Sequence, residues 1–131
     1  MARRMSREPV WLSRTVVDAM HLDQLREHGG LPGVRDENAL ESALARPQQR
    51  RHYEPDVDLA ALAAAYGYGL AMNHPYRDGN KRIAFMALST FLLANGRPLD
   101  AAEASVVTTM LALASGALTE AQLADWIRLH I

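Results

Sequence analysis

The chain has 131 residues, of which 49% are hydrophobic and 22% are charged, and its formal net charge is -1. This length suits a single domain with a sizeable core, and the near-zero net charge argues against binding nucleic acid or acidic membranes through a global electrostatic field. The chain has no cysteine, which excludes disulfides and thiolate metal sites.

The N-terminal region is predicted to be a flexible tail over residues 1–12, followed by a single domain over residues 13–131. The basic start, Met-Ala-Arg-Arg, is not followed by the apolar run of a secretory signal. Residues 59–76 carry no Asp, Glu, Lys or Arg, but their many alanines and two glycines are typical of a buried helix and not of a membrane span. We therefore expect a soluble, cytoplasmic protein with no membrane partner.

The first two helices are predicted from their capping residues and breakers. The first begins at a cap on Ser13 or Thr15 and runs to about His28, before two consecutive glycines. The second begins after Asp36 as its N-cap. We expect its proline to end it and a polar loop to follow over residues 47–56.

The third helix is predicted to start at Asp56 or Asp58 and to extend to about Met72. Gly67 and Gly69 lie inside it, at a cost of about 1 kcal/mol each relative to alanine. We interpret them as positions where a neighbouring helix approaches closely, and not as a break.

The remaining helices follow a polar stretch of nine residues. The fourth, over about residues 80–94, is apolar nearly all round, which indicates a central helix. Asp100 with Glu103, and Thr119 with Gln122, have the spacing of capping boxes that open the fifth and sixth helices. No stretch alternates as a strand would. The pattern predicts a compact all-α bundle of about six helices.

The polar stretch over residues 74–82 reads His-Pro-Tyr-Arg-Asp-Gly-Asn-Lys-Arg and lies between two apolar helices. Its turn leads directly into a helix N-terminus, where free backbone N–H groups and the helix dipole favour an anion. Gly79 has no side chain to block those amides. Lys81 and Arg82 lie in the first turn, where cations oppose the dipole unless an anion is bound. These features predict a phosphate-binding site.

Two further side chains of this stretch bear on chemistry. His74 ends the preceding helix, and histidine can accept a proton from a hydroxyl near neutral pH. Asp78 is the one carboxylate in the stretch, and phosphate chemistry usually requires an oxygen ligand for Mg²⁺. A base, a metal ligand and an anion site with cations are the recurring parts of phosphoryl or nucleotidyl transfer to a hydroxyl.

Other polar residues have simpler interpretations. Taken alone, His74 would be interpreted as a helix cap or a core histidine. Its proximity in sequence to Asp78, Asn80 and Arg82 favours a functional site instead. Residues 46–52 are basic and are interpreted as a solvated loop, with a nucleic-acid patch or a contact to a protein target as alternatives. Arg77 is interpreted as facing solvent. His21 and His28 have no carboxylate pattern to complete a metal site, so both are assigned to the surface.

Residues 74–82 closely resemble the signature of the Fic/Doc superfamily, His-Pro-Phe-x-Asp/Glu-Gly-Asn-Gly-Arg. Tyr76 replaces the usual Phe, and Lys81 replaces the glycine of Fic nucleotidyl transferases. Lysine there is the mark of the Doc (death-on-curing) branch, the toxins of Phd/Doc-type toxin–antitoxin systems. The resemblance extends over almost the whole chain from about Ser13 and includes three further segments: residues 29–33, the Gln49-Arg50 pair, and residues 81–84 running on to 95–96.

The resemblance implies an ATP-dependent kinase that phosphorylates a hydroxyl of translation elongation factor Tu and so inhibits translation. In this picture His74 is the general base and Asp78 holds Mg²⁺. The nucleotide phosphates are bound by the residues at the start of the fourth helix, namely Gly79, Asn80, Lys81 and Arg82.

Alternatives remain within the family. Pro75 and Gly79 look more like the Fic pattern than the Doc pattern, so AMP transfer to a protein hydroxyl is a second candidate, and a non-catalytic Fic-fold module is a third. The chain lacks the inhibitory pattern Ser/Thr-x-x-x-Glu-Gly/Asn of many Fic enzymes. We therefore expect a separate Phd-like antitoxin to restrain the protein by placing a helix in an apolar groove. Any link to DNA would be made by the antitoxin.

Overall fold

Six α-helices make up the regular structure of residues 8–131, the part of the chain that this computed structural model describes. In chain order they are α1 (Arg14–His28), α2 (Glu37–Tyr53), α3 (Leu59–Asn73), α4 (Asn80–Ala94), α5 (Glu103–Ala114) and α6 (Glu120–Arg128). The predicted all-α fold is confirmed. None of these helices in the described range combines the length and apolar character needed to cross a membrane.

Four of the helices begin at predicted capping residues. The side chains of Ser13, Asp36 and Asp58 each accept a hydrogen bond from the backbone N–H three residues on. Thr119 does the same for Gln122, whose side chain accepts from the Thr119 N–H in return. These side chains satisfy donors that a helix start would leave free, so the predicted starts are confirmed.

The predicted capping box of α5 is wrong. The helix begins at Glu103 with Ala102 at the N-cap, and no side chain caps it. Asp100 instead donates its backbone N–H to the carbonyl oxygen of His130 at 2.8 Å. This contact with the C-terminal end of the chain holds Asp100 outside the first turn, where its carboxylate cannot act as a cap.

The predicted end of α2 at Pro47 is also wrong, because the helix continues to Tyr53 and the expected loop is largely helical. An interior proline costs about 3 kcal/mol. Here Pro47 is buried, and on either side of it Arg46 and Arg50 form ion pairs with Glu120 of α6. Tertiary packing therefore outweighs the local preference for a break.

Helix α3 is the most completely buried element, with 11 of its 15 residues inside. It packs against α2, α4 and α6. A Cβ on Gly67 would lie 2.7 Å from the Cδ2 of Leu88 on α4, and one on Gly69 would lie 3.3 Å from the Cα of Ala43 on α2. The predicted close approach at both glycines is confirmed. The absence of a side chain at Gly67 lets α4 pack close to α3.

The segment before α1 packs onto the helices. Trp11 stacks on Phe91 with ring centroids 5.9 Å apart. Leu12 is buried, and its backbone N–H donates to the hydroxyl of Tyr66 at 3.0 Å. Residues 1–7 of the predicted tail lie outside the described residues.

Candidate active site

The loop between α3 and α4 brings all the predicted site residues to one cavity of about 370 Å³. It lies between the C-terminal end of α3 and the N-terminal end of α4. Its walls are formed by Ala71, His74, Arg77, Asp78, Gly79, Asn80, Lys81, Arg82 and Ala114. The expected juxtaposition of a histidine, a carboxylate and two cations is therefore present.

His74 has an unusual backbone at the C-cap of α3. Its φ of 48° and ψ of 54° are left-handed, and it is the one non-glycine residue with positive φ in the described chain. Such a conformation costs about 1–2 kcal/mol for an L-residue. Arg35 offsets this cost by donating from Nε to the His74 carbonyl oxygen at 2.7 Å and from Nη2 to that of Asn73 at 3.0 Å. The imidazole remains exposed on the cavity wall.

A second segment, residues 30–36, forms a wall against the loop. Val34 and Tyr76 make an isolated antiparallel bridge, and the Arg77 N–H donates to the Gly33 carbonyl oxygen at 3.0 Å. These contacts fix the loop to the segment that precedes α2. This glycine-rich segment shares the family resemblance, but its position in the sequence does not indicate that it lies against the site.

The start of α4 has the geometry of an anion site. Gly79 is the N-cap with φ of 76°, and no side chain caps the helix. Among the hydrogen bonds of the described residues, none uses the backbone N–H groups of residues 79–82. Lys81 and Arg82 are exposed beside them. Free amides, the positive helix end and two cations together favour a phosphate.

Asn80 acts on the loop itself. Its Oδ1 accepts from the Tyr76 N–H at 2.9 Å, and its Nδ2 donates to the Tyr76 carbonyl oxygen at 3.0 Å. Both ends of the amide are therefore used to close the turn. Only the backbone N–H of Asn80 is therefore free to make the predicted contact with phosphate.

Asp78 is exposed, and its Oδ2 accepts from the Leu31 N–H at 2.9 Å. Its Oδ1 has no hydrogen bond among the described residues. No group of three or more His, Asp or Glu side chains able to hold a metal occurs in residues 8–131. This donor set fits Mg²⁺ bound through one carboxylate and completed by phosphate oxygens and water, the usual arrangement at nucleotide sites.

His21 contacts the site although the sequence pattern did not place it there, and its assignment to the surface is wrong. It is 3% exposed, its Nε2 lies 2.7 Å from the Asp78 carbonyl oxygen, and its ring stacks on Tyr76 at 3.7 Å between centroids. The signal was available, because His21 lies four residues after the buried Val17 and so shares its face of α1.

Tyr76 anchors the loop to α1. Its hydroxyl donates to Asp18 at 2.6 Å, and burial, followed by this hydrogen bond, raises the pKa of Tyr76 well above its ordinary value. Arg14 binds the same carboxylate and also pairs with Glu37 and Glu41 of α2. The loop is thus tied to two helices through one charged cluster.

An apolar groove of about 340 Å³ adjoins the site. Its walls are Gln24, His28, Lys81, Arg82, Phe85, Met86, Val106, Val107, Met110 and Leu111, from α1, α4 and α5. Val107 and Leu111 are half exposed. Because Lys81 and Arg82 line both the groove and the active-site cavity, an occupant of the groove would meet the same cations as a bound phosphate.

Comparison with known proteins gives consistent matches. The sequence model of the Fic/DOC family matches residues 11–92. The chain is 33% identical over 111 residues to "Protein kinase doc" of Escherichia phage P1, covering 84% of this chain and 86% of that protein. It is 45% identical over 74 residues to "Toxin Doc" of Mycolicibacterium smegmatis (strain ATCC 700084 / mc(2)155), covering 56% of this chain and 57% of that protein.

Proposed function

Because the chain belongs to the Fic/DOC family, we propose that it is a Doc-like toxin that transfers a phosphate group from ATP to a hydroxyl group of a protein. The names of its two relatives, a protein kinase and a toxin, support both halves of this proposal. By the family resemblance, the target is translation elongation factor Tu, and the effect is inhibition of translation.

The observation that carries the proposal is that His74 and the free amides of residues 79–82 face one cavity. The γ-phosphate of ATP would be held by these amides with Lys81 and Arg82. His74 would take the proton from the attacking hydroxyl. The hydroxyl oxygen then forms a bond to the γ-phosphorus as the bond from that phosphorus to the bridging oxygen breaks, and ADP leaves with the electron pair.

Magnesium fits this reaction as a partner of the nucleotide. When bound, Mg²⁺ supplies positive charge that neutralises the phosphate oxygens. Asp78 would hold it through the carboxylate oxygen that is free of hydrogen bonds, while Leu31 fixes the other oxygen. The residues of the chain thus keep the roles of binding, orientation and proton transfer.

AMP transfer is a second candidate because Gly79 and Pro75 match the Fic pattern. The two reactions differ in which phosphorus is attacked. A bulky cation at Lys81 would close part of the anion site and make the nucleotide present its γ-phosphate, whereas glycine there would leave room to present the α-phosphate.

Labelled ATP separates the two candidates. The purified protein is incubated with elongation factor Tu and ATP labelled at either the α- or the γ-phosphate. We expect the γ-label to stay on the target. Retention of the α-label would establish AMP transfer instead, and no label from either position, with ATP binding intact, would leave a non-catalytic module.

The groove between α1, α4 and α5 is the proposed binding site of a Phd-like antitoxin. Phe85, Met86 and Met110 offer apolar surface for the apolar face of a helix. Lys81 and Arg82 at its end would attract an acidic side chain of that helix. A bound antitoxin would thereby restrain the toxin, and any contact with DNA would belong to the antitoxin.

A further inference from the structure

We infer that His21 is a positioning residue that orients the phosphate-binding loop from inside α1. The inference rests on the proposed function, because it assigns the loop to phosphate binding. It goes further in identifying a buried side chain, outside the signature, as the residue that sets the direction of a binding amide.

The contact fixes which atom carries the proton. A carbonyl oxygen only accepts hydrogen bonds, so the Nε2 of His21 must be the donor to the Asp78 carbonyl oxygen 2.7 Å away. His21 is 3% exposed, so water does not compete readily for its imidazole. A hydrogen bond in such surroundings is costly to leave unmade.

The consequence for the loop follows from the planarity of the peptide bond. In a trans peptide the C=O of Asp78 and the N–H of Gly79 point in opposite directions, and no cis peptide occurs in the described residues. Because the carbonyl is held towards α1, the Gly79 N–H is directed away from α1. Gly79 lines the active-site cavity, and its N–H has no partner among the described residues. His21 therefore aims this amide at the ligand.

The imidazole is itself held in place. It lies nearly parallel to the Tyr76 ring, with an interplanar angle of 13° and centroids 3.7 Å apart. Tyr76 is held in turn by Asp18 of α1 through its hydroxyl. The donor is thus pre-oriented before any ligand arrives, which lowers the cost of ordering the loop on binding.

Three variants test this role in the full chain. His21→Phe keeps a ring for stacking but removes the donor, and His21→Gln keeps an N–H near the position of Nε2. Val17→Ala, one turn earlier on the same buried face, is the control for loss of stability alone. The measurements are ATP affinity by calorimetry, the Gly79 amide resonance in the ligand-free protein, and transfer of γ-label.

We expect His21→Phe to raise the Kd for ATP about tenfold and to move the Gly79 resonance. His21→Gln should restore the affinity to within about threefold of wild type, and Val17→Ala should leave it within about twofold although its melting temperature falls. Equal ATP affinity and an unmoved Gly79 resonance in His21→Phe would overturn the inference. If the ATP affinities of the three variants change as expected but no γ-label is transferred, the proposed function fails and the role of His21 stands.

Discussion

Arg35 holds the backbone of His74 by a hydrogen bond of 2.7 Å from its Nε to the His74 carbonyl oxygen. The guanidinium also binds Asn73, and the Arg35 N–H donates to the Pro75 carbonyl oxygen at 2.8 Å. Three consecutive carbonyl groups around the proposed base are thus held by one residue. Arg35 is exposed, so its side chain is available for substitution without opening the core.

Replacing Arg35 with alanine should lower kcat about ten- to a hundredfold, because His74 would no longer be held in its left-handed conformation. ATP affinity should change little, since the anion site lies at the other end of the loop. Steady-state kinetics with ATP binding as the control would check this. An unchanged kcat would mean that the chain holds His74 without the guanidinium.

Replacing His74 with alanine should lower the transfer rate by about 10²–10⁴ without unfolding the protein, because the imidazole is exposed. Single-turnover transfer of labelled phosphate measures the loss, and circular dichroism checks the fold. Transfer at the wild-type rate would exclude His74 as the base.

Replacing Lys81 with glycine should shift the label retained on the target from the γ- towards the α-phosphate, because the anion site would open. Arg77→Gly is a matched control, since Arg77 also lines the cavity but is outside the proposed set of phosphate ligands. If Lys81→Gly transfers only γ-label, the lysine does not set the orientation of the nucleotide.

Introducing a charge into the groove should weaken the binding of the proposed antitoxin. Leu111→Glu places a carboxylate on a half-exposed apolar position of the groove, whereas Leu129→Glu changes an exposed leucine that does not line it. Co-purification with the product of a short neighbouring reading frame should fail for the first variant and succeed for the second. Equal recovery of both complexes would place the antitoxin elsewhere.

Protonation of Asp58 should make the free energy of unfolding depend on pH. It caps α3 and forms a two-pronged ion pair with Arg128, and these bonds, the one from Arg128 foremost, lower the pKa of Asp58 below its ordinary value. A lowered folded pKa means that the stabilisation is present above the unfolded pKa and is lost as pH falls through the folded pKa.

Asp58→Asn keeps an oxygen that can cap α3, so it should reduce the free energy of unfolding at pH 7 by only about 0.5 kcal/mol, through loss of the half-exposed ion pair with Arg128. The difference from wild type should shrink between about pH 5 and pH 2. Urea unfolding at both ends of this range provides the measurement. A difference that does not depend on pH would assign the effect to packing alone.

The sequence predicted those features that local chemistry decides. The caps at Ser13, Asp36 and Asp58 lie where short polar side chains precede an apolar pattern, and the signature placed the site at the start of α4. Pro47 and Asp100 were misjudged because distant partners, Glu120 and His130, determine their surroundings.

The site itself was predicted only as far as the signature extends. His21 and Arg35 reach it from other parts of the chain, 57 and 39 residues away from their partners. Neither distance follows from spacing along the sequence. Of the two, only the burial of His21 could be inferred from the sequence, because His21 lies on the same face of α1 as Val17.

The contact at Gly67 has a consequence for how catalytic rate can be tuned. His74 ends α3 and the anion site begins α4, so the gap between base and phosphate depends on how closely these two helices are spaced. Gly67 lets α3 pack close to Leu88 of α4: a Cβ there would lie 2.7 Å from the Leu88 Cδ2 and 3.7 Å from the Ala84 carbonyl oxygen. Alanine there would displace the end of the Leu88 side chain, whereas a larger side chain would press on the α4 backbone and move the two halves of the site apart. The size of the residue at this interior position can thus change the rate of the proposed transfer while every residue of the signature stays the same.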